Sequence, residues 1–493
     1  MPPRSSPQAP ATRLVVGPFN RVEGDLEVRL DVRDGAVAEA RVVAPMYRGF
    51  ENLLEGRDPH DALVIVPRIC GICSVSQSVA AARALADAAG TVAPPNGRIA
   101  TDLMLAAENL ADHLTHFYLF FMPDFARQAY ARQPWFAEAR RRFEAGAGEQ
   151  SRAAIAARQR WLQIVGTLGG KWPHTHGVMP GGSTRAIDGA ERLRLLSLLR
   201  EFRAFLERHT FAAPLDEVAA LADESALFAW QAQAPERGDL RLFLAIAAAA
   251  GLDRLGRGPG RYLVHGNAGA PAGVWDETLD QGAGALLPLD LSGITEDISH
   301  AWMADDGVPP RHPSAGATRP DADKAGAYTW NKAPRLRGRA CETGAIARRL
   351  AAGQPLVRAA VRRCGGTVYT RVLARLLELA EVLPQMERWL AELQPREPFC
   401  ASDALPDGGQ GVGLAEAARG ALGHWLRIER GRIAGYQIIA PTSWNFSPRD
   451  AAGQPGPLEQ ALAGTPVGDG EKTPVAVQHV VRSFDPCMVC TVH

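Results

Sequence analysis

Two Cys-x-x-Cys pairs stand near opposite ends of the chain and constrain its fold more than any other feature. Cys70 and Cys73 form the first pair, and Cys487 and Cys490 form the second, in a sequence of 493 residues. If the four thiols act together, segments from both ends of the chain must fold against each other.

The pairs allow four interpretations. Seven cysteines are an odd number and a low density for this length, which disfavours a secreted disulfide framework. A thioredoxin-like redox pair would need a βαβ setting, and neither pair has one. A structural zinc site of four cysteines is chemically sound, but such sites usually join local segments. A catalytic redox metal is equally compatible with four thiolates, so spacing alone leaves zinc and a redox metal as even alternatives.

The net charge and the length of the apolar runs limit the classes of partner that the chain can bind. Lysine and arginine together number 54, as do aspartate and glutamate, so the formal net charge is zero. This balance argues against nucleic acid or an anionic membrane as the main partner, because both select basic faces. The longest apolar run, 242–252, is too short for a membrane span of about 20 residues, and no Sec-type signal is visible. We therefore expect a soluble, intracellular chain without direct membrane insertion.

Hydrophobic periodicity predicts strands near both ends and long helices between them. Alternating residues in 26–43 flank an Asp34-Gly35 turn and indicate a hairpin, and 425–439 is a second candidate. Apolar residues at three- and four-residue steps predict helices within 103–121, 195–206 and 372–393. The expected fold is multidomain and mainly α, a central long-helix bundle with small α+β segments from both ends.

We predict five segments that fold as one compact unit. They are a sheet-containing N-terminal segment (1–60), a helical core with the first cysteine pair (61–250), an irregular α+β region (251–340), more helical core (341–400) and a C-terminal segment with the second pair (401–493).

The residues around the two pairs resemble a known family. Arg68-Ile-Cys70-Gly-Ile-Cys73 and Asp485-Pro-Cys487-Met-Val-Cys490-Thr-Val-His493 resemble the two signature motifs of the nickel–iron hydrogenase large subunit. Further blocks agree in the same order: Arg21-Val-Glu23-Gly24, 47–51, 328–348, 418–424 and 441–445. The resemblance runs from about residue 14 to the last residue, implies the fold and activity of that subunit, and favours a redox metal over zinc.

The resemblance also implies the metal ligands. Cys70 and Cys487 would bind nickel alone, while Cys73 and Cys490 would bridge nickel to an iron that carries carbon monoxide and cyanide. Glu51 and His493, with a backbone carbonyl near Phe446, would bind Mg²⁺ or another hard divalent ion.

Other residues acquire catalytic roles from the same resemblance. Glu23 would take the proton that hydrogen cleavage leaves on Cys487, and Arg419 would lie over the two metals. Thr442 would hydrogen-bond a cyanide ligand. Asp485 and Asp124 would form an outer carboxylate shell near Arg419. Two positions depart from the common pattern, Asp25 in place of histidine and Ala418 in place of proline.

Three features resemble the regulatory, hydrogen-sensing subgroup. Gln77 stands where the usual motif has histidine, and an amide cannot take up a proton as imidazole does, although it can hydrogen-bond a cysteine sulfur. Ile72 and Phe120 would narrow the gas channel, admitting hydrogen while hindering oxygen. The sequence ends at His493, without the cleaved extension usual in catalytic members.

The sequence therefore predicts the cytoplasmic large subunit of a regulatory nickel–iron hydrogenase with low turnover. It would cleave hydrogen, sense it, and signal to a sensor histidine kinase that controls hydrogenase gene expression. Because the chain has no spare cysteine cluster, iron–sulfur clusters would lie in a small subunit, forming an obligate heterodimer open to further dimerisation. Maturation proteins would insert the metals.

Two alternatives stand beside this prediction. An uptake hydrogenase would use the same site to pass electrons to a quinone or similar acceptor, but it predicts histidine at position 77. A non-enzymatic relative of a complex I subunit predicts missing cysteines, whereas all four are present.

Overall fold

The computed structural model describes residues 12–267, 269–305, 307 and 309–491. Helices form most of the regular structure in this part of the chain. In chain order they are α1 (Phe50–Leu54), α2 (Ala62–Ile65), α3 (Ser74–Ala89), α4 (Pro95–Thr115), α5 (Phe136–Phe143), α6 (Glu149–Trp161), α7 (Gln163–Gly169), α8 (Gly189–Phe205), α9 (Leu215–Ala219), α10 (Glu224–Gln233), α11 (Asp239–Ala250), α12 (Ala345–Ala351), α13 (Pro355–Cys364), α14 (Val368–Glu392), α15 (Pro441–Asn445), α16 (Pro457–Leu462) and α17 (Val475–Ser483).

The strands form small antiparallel sheets. They are β1 (Thr12–Val16), β2 (Glu27–Arg33), β3 (Ala36–Val43), β4 (Val178–Met179), β5 (Gly182–Ser183), β6 (Arg261–Val264), β7 (Gly273–Asp276), β8 (Ala285–Leu287), β9 (Ile294–Asp297), β10 (Ala333–Leu336), β11 (Gly408–Ala417), β12 (Gly420–Glu429) and β13 (Arg432–Ile439). Three sheets are three-stranded, β1-β2-β3, β6-β7-β8 and β11-β12-β13, whereas β4 pairs with β5 and β9 with β10. The predicted mainly helical fold with small sheets is confirmed.

Both predicted hairpins are confirmed. In β2 and β3, Val28 lies opposite Val42, and both side chains are buried. The turn residues Asp34 and Gly35 both have positive φ, as a tight two-residue hairpin turn requires. In the second hairpin, β12 pairs with β13.

Strand β11 was not predicted from the sequence. Its glycines lower strand propensity and hide the alternating pattern. They serve close packing against α3, because a Cβ atom at Gly411 would lie 2.0 Å from the Ala84 carbonyl oxygen. At Gly413 the corresponding distance to the Ala80 carbonyl oxygen would be 1.8 Å. The third sheet thus lies directly on the helix that follows the first cysteine pair.

The three predicted helical stripes lie in α4, α8 and α14. Their apolar residues are buried, as Leu110, Leu199 and Leu379 illustrate. The first stripe differs from the prediction at its end, because α4 stops at Thr115 and continues as a π-helical segment, His116–Phe121. None of the described helices combines the length and apolarity that crossing a membrane requires.

The two ends of the chain meet at the centre of the structure. Glu23 forms a parallel β-bridge with Cys487. The Arg48 guanidinium donates to the carbonyl of Val489 at 2.6 Å, and the amide of Val37 donates to the carbonyl of Thr465 at 2.9 Å. These contacts bring the second cysteine pair to the first.

Candidate metal centre

The four predicted cysteine ligands converge on one buried point. Their sulfur atoms all lie within 4.8 Å of one another. Two contacts between the pairs join Cys73 to Cys490 at 3.3 Å and Cys70 to Cys487 at 3.4 Å. Both exceed the roughly 2.05 Å length of a disulfide bond, and all four cysteines are free. The disulfide interpretation is therefore excluded for this structure.

Helix ends position the cysteines. Cys73 is the N-cap residue of α3, so the positive end of that helix dipole points at the sulfur cluster. Cys487 comes shortly after α17 and precedes a single 3-10 turn, Met488–Cys490. The amide of Cys487 donates to the Thr442 hydroxyl oxygen at 3.2 Å, which ties this turn to α15.

The buried cysteines can ionise together only if a cation lies between them. Burial raises the pKa of the Cys487 thiol well above its ordinary range and so favours the neutral form. Four thiolates within 4.8 Å would repel one another strongly without a positive charge between them. Soft sulfur donors of this kind fit nickel and iron. The donor set and its compactness therefore agree with a nickel–iron centre.

Glu23 lies beside the second pair because the backbone places it there. Its amide donates to the Pro486 carbonyl at 3.3 Å, and its carbonyl accepts from the Met488 amide at 2.7 Å. Burial is the main reason why the pKa of Glu23 is raised, and the neighbouring Cys70 adds to it, whereas Arg419 and Arg48 oppose it.

Arg419 is buried between two carboxylates. Its Nη1 donates to Asp112 Oδ2 at 3.0 Å, and its Nη2 donates to Asp485 Oδ1 at 3.1 Å. Its Nε also donates to the Asp485 carbonyl at 2.9 Å. Burial alone would lower the pKa of Arg419, but Asp485 and Asp112 raise it well above its ordinary value. The guanidinium is therefore permanently charged and fixed in orientation.

The predicted carboxylate shell needs one correction. Asp485 contacts Arg419 as expected, whereas Asp124 lies in a separate cluster with Arg21, Arg482 and His479. Asp112 provides the second carboxylate. Sequence reasoning missed Asp112 because α4 also carries Asp102 and Glu108, and periodicity does not distinguish which acid faces Arg419. Asp124, shortly after the 103–121 stripe, carries the same local signal as Asp112.

Comparison with known proteins identifies the family. The sequence profile described as nickel-dependent hydrogenase matches residues 48–135 and 152–493. The chain belongs to the nickel-dependent hydrogenase family. It is a hydrogenase large subunit that cleaves hydrogen, and its buried group of four cysteines fits the nickel–iron centre of that family.

Relatives of this hydrogenase match along almost their whole length. The periplasmic [NiFeSe] hydrogenase large subunit of Desulfomicrobium baculatum is 31% identical, covering 98% of this chain and 95% of the relative. The hydrogenase-2 large chain of Escherichia coli K12 is 27% identical, and the match covers 98% of this chain and 97% of that relative. The uptake hydrogenase large subunit of Cupriavidus necator is 26% identical, and the match covers 98% of this chain and 95% of that relative.

Solved structures agree with the fold. The H2-activated [NiFeSe]-hydrogenase of Desulfomicrobium baculatum superposes with a TM-score of 0.85 at 30% identity, covering 98% of this chain and 100% of that one. The reduced Ni-Fe-Se hydrogenase of Desulfovibrio vulgaris Hildenborough gives 0.82 at 30% identity, with the same coverage. These matches confirm the predicted large-subunit fold.

Gln77 of this hydrogenase takes part in a buried hydrogen-bonded chain. Its Oε1 lies 2.9 Å from His424 Nε2, and His424 Nδ1 lies 2.9 Å from the Tyr436 hydroxyl. A neutral imidazole can donate on one side and accept on the other, so Tyr436 donates to His424 and His424 donates to Gln77. The amide oxygen of Gln77 thus faces His424.

The predicted hard-ion site is described in part, because His493 lies outside the described residues. Glu51 is buried, and its Oε1 accepts from the Ile438 amide at 2.8 Å. The Lys332 ammonium lies 3.3 Å from Glu51 Oε2 and 2.7 Å from Gln437 Oε1. These oxygen donors suit a hard cation, and Lys332 already contributes one positive charge to them.

The two predicted gas-channel residues lie on different elements. Ile72 is half-buried within the first cysteine pair, and Phe120 is half-buried in the π-helical segment after α4. Their role in gas access stays a prediction.

Proposed function

We propose that this chain is the hydrogen-sensing large subunit of a regulatory nickel–iron hydrogenase, located in the cytoplasm and signalling to a sensor histidine kinase. The observation that carries the proposal is Gln77, a neutral amide in contact with His424 at 2.9 Å. Imidazole at position 77 could take up a proton near the cysteines, and the amide cannot. A sensor needs binding and cleavage of hydrogen but little sustained turnover.

The proposed chemistry assigns a task to each residue around the centre. When bound, the nickel–iron centre, with carbon monoxide and cyanide on the iron, supplies the site of heterolytic hydrogen cleavage. Cys487 takes the released proton on its sulfur, and Glu23 receives it, because the β-bridge holds the two residues side by side. Arg419 stabilises negative charge near the bound ligands. Thr442 holds the Cys487 amide and would also bond a cyanide ligand.

The proposed assembly includes an iron–sulfur small subunit. Among the described residues, the four-cysteine group is the metal-ligand cluster found, and Cys341, Cys364 and Cys400 stand apart from it. Electrons from hydrogen therefore need metal clusters on another chain. The relatives named large subunit or large chain agree with a heterodimer. Maturation proteins would insert the metals, and Mg²⁺ would bind at Glu51 and His493.

Affinity purification of the tagged chain from its native cells tests the proposal. We expect an iron–sulfur small subunit and a histidine kinase to co-purify, and hydrogen to change the autophosphorylation of that kinase. A membrane cytochrome without a kinase would overturn the sensory role. A tagged chain with Cys487→Ala is the matched control, since it cannot complete the metal centre.

The uptake hydrogenase is the second candidate. The Cupriavidus necator relative carries that name, and the Desulfomicrobium baculatum relative is named periplasmic. An uptake enzyme would sustain rapid hydrogen oxidation with a quinone analogue. Cell fractionation and steady-state turnover distinguish it from the sensor, which should stay in the cytoplasm and turn over slowly.

A further inference from the structure

Glu108 is a fully buried carboxylate that no role assigned above uses. It lies on α4, and both of its oxygens accept hydrogen bonds from the start of α3. Oε1 accepts from the Val75 amide at 2.8 Å, and Oε2 accepts from the Ser76 amide at 2.9 Å and from the Ser76 hydroxyl at 3.0 Å. The Trp172 indole also donates to Oε1 at 3.1 Å.

These contacts replace a helix cap that α3 lacks. The first amides of a helix have no partner within it, and a side chain at the N-cap usually accepts from the second or third residue. Here the N-cap residue is Cys73, whose side chain makes no capping hydrogen bond. Val75 and Ser76 occupy the second and third positions, so Glu108 caps α3 from a different helix.

The same face of α4 reaches two further parts of the metal centre. Residues four apart on a helix lie above one another, and Glu108, Asp112 and His116 follow that spacing, with His116 as the first residue of the π-helical segment that continues α4. Asp112 accepts from Arg419 at 3.0 Å. His116 Nε2 donates to the Arg482 carbonyl at 2.7 Å, near the end of α17 and just before the second cysteine pair. One helix face therefore contacts both cysteine-bearing segments and Arg419.

We infer that Glu108 is a positioning residue that fixes the Cys73 sulfur relative to the second cysteine pair. A carboxylate has two acceptor oxygens for these donors, which also include the Ser74 hydroxyl at 3.4 Å, whereas a glutamine amide has one acceptor oxygen and directs N–H groups at the other donors. Loss of the cap would free the first turn of α3 and let Cys73 move. This inference holds for a sensor and for an uptake enzyme alike, so it does not depend on the proposed function.

The test compares Glu108→Gln with Glu459→Gln in the metal-loaded heterodimer. Glu459 is the matched control, because it is also a buried carboxylate that accepts from a backbone amide, Val42 at 3.0 Å, and from a side chain, the Tyr328 hydroxyl at 2.7 Å. We expect Glu108→Gln to shift and broaden the paramagnetic resonance signal of nickel and to speed hydrogen exchange at the Val75 and Ser76 amides. We also expect kcat to fall by about tenfold or more with KM for hydrogen unchanged.

Two outcomes would overturn the inference. One is a nickel signal in Glu108→Gln identical to that in Glu459→Gln, and the other is a change in KM without a change in kcat. If Glu108→Gln does not fold, Ser76→Ala decides, because it removes only the hydroxyl donor at 3.0 Å. Ser76→Ala should shift the nickel signal in the same direction by a smaller amount, and an unchanged signal contradicts the role.

Discussion

The backbones of Glu23 and Cys487 run parallel as a two-residue β-bridge, closed by hydrogen bonds on both sides of the Cys487 position. This bridge joins residues from opposite ends of the chain. It fixes the main chain of the proposed proton acceptor, Glu23, against that of Cys487, so only side-chain torsions remain to bring the carboxylate and the sulfur within reach. Proton transfer requires such proximity, about 2.6–3.2 Å between heavy atoms or one intervening water.

Gly24 makes this bridge possible, and Gly24→Ala should disrupt it. Gly24 has φ of +79°, and a Cβ atom there would lie 2.9 Å from both the backbone nitrogen and Cγ1 of Val489. The turn that carries Cys490 would have to shift. We expect hydrogen oxidation to fall by about 100-fold, as roughly 1 Å of misplacement can cause. Hydrogen-uptake assays at matched nickel content measure the effect.

Gly56→Ala is the control for backbone strain. Gly56 has nearly the same φ, +78°, but no atom lies within 4 Å of its Cβ position. The left-handed conformation alone should cost about 1–2 kcal/mol of folding free energy and leave activity unchanged. Equal losses of activity in both variants would contradict the role of the bridge.

Asp112→Asn should weaken the hold on Arg419. The asparagine keeps the shape of the side chain but removes the charge from one of the two carboxylates that contact the guanidinium. A charge-assisted hydrogen bond contributes about 1.5–3 kcal/mol, so turnover should fall by roughly tenfold or more at full metal content. Asp102→Asn on the same helix, where the acid pairs with Arg83, should change turnover little. Similar turnover in Asp112→Asn and the wild type would show that Asp485 alone holds Arg419.

Local pattern predicted the two hairpins and the long helices, and the family resemblance predicted the convergence of the cysteines, but neither predicted the contacts between distant side chains. The hairpin at Asp34-Gly35 and the long helices carry their signals within a few residues. Strand β11 carries no such local signal, because only its packing against the backbone of α3 explains why glycines stand at its positions. Asp112 likewise differs from other acids on α4 only through Arg419, a residue some 300 positions away. Tertiary contact, not local sequence, selects these residues.

Gln77→His tests the sensory proposal directly. The substitution places an imidazole against His424, which currently donates to the Gln77 oxygen at 2.9 Å. Two facing imidazoles can share a proton, so the buried chain through Tyr436 would gain a titratable group. We expect hydrogen cleavage to persist while hydrogen-dependent control of the kinase or resistance to oxygen is impaired. Unchanged signalling and oxygen resistance would remove Gln77 as the support for a sensor, and Gln77→Asn controls for loss of contact alone.

Glu459 should make the stability of the protein depend on pH near neutrality. Burial raises the pKa of Glu459 from its ordinary value of 4.5 to about 7, although the Val42 amide and the Tyr328 hydroxyl oppose the shift. Between these values the folded protein holds a proton that the unfolded chain has released. The free energy of unfolding should therefore fall as pH rises from 4.5 to 7. At about 1.4 kcal/mol per pKa unit, the loss from this group is about 3 kcal/mol at most.

Glu459→Gln removes this titration while keeping an acceptor oxygen for both Val42 and Tyr328. The variant and the wild type should unfold at similar denaturant concentrations at pH 4.5, where Glu459 is protonated in the folded state. At pH 8 the variant should be the more stable, because the wild type then carries a buried charge and glutamine does not. Denaturant unfolding at both pH values measures the difference. A stability difference that is the same at pH 4.5 and pH 8 would mean that Glu459 does not titrate in this range.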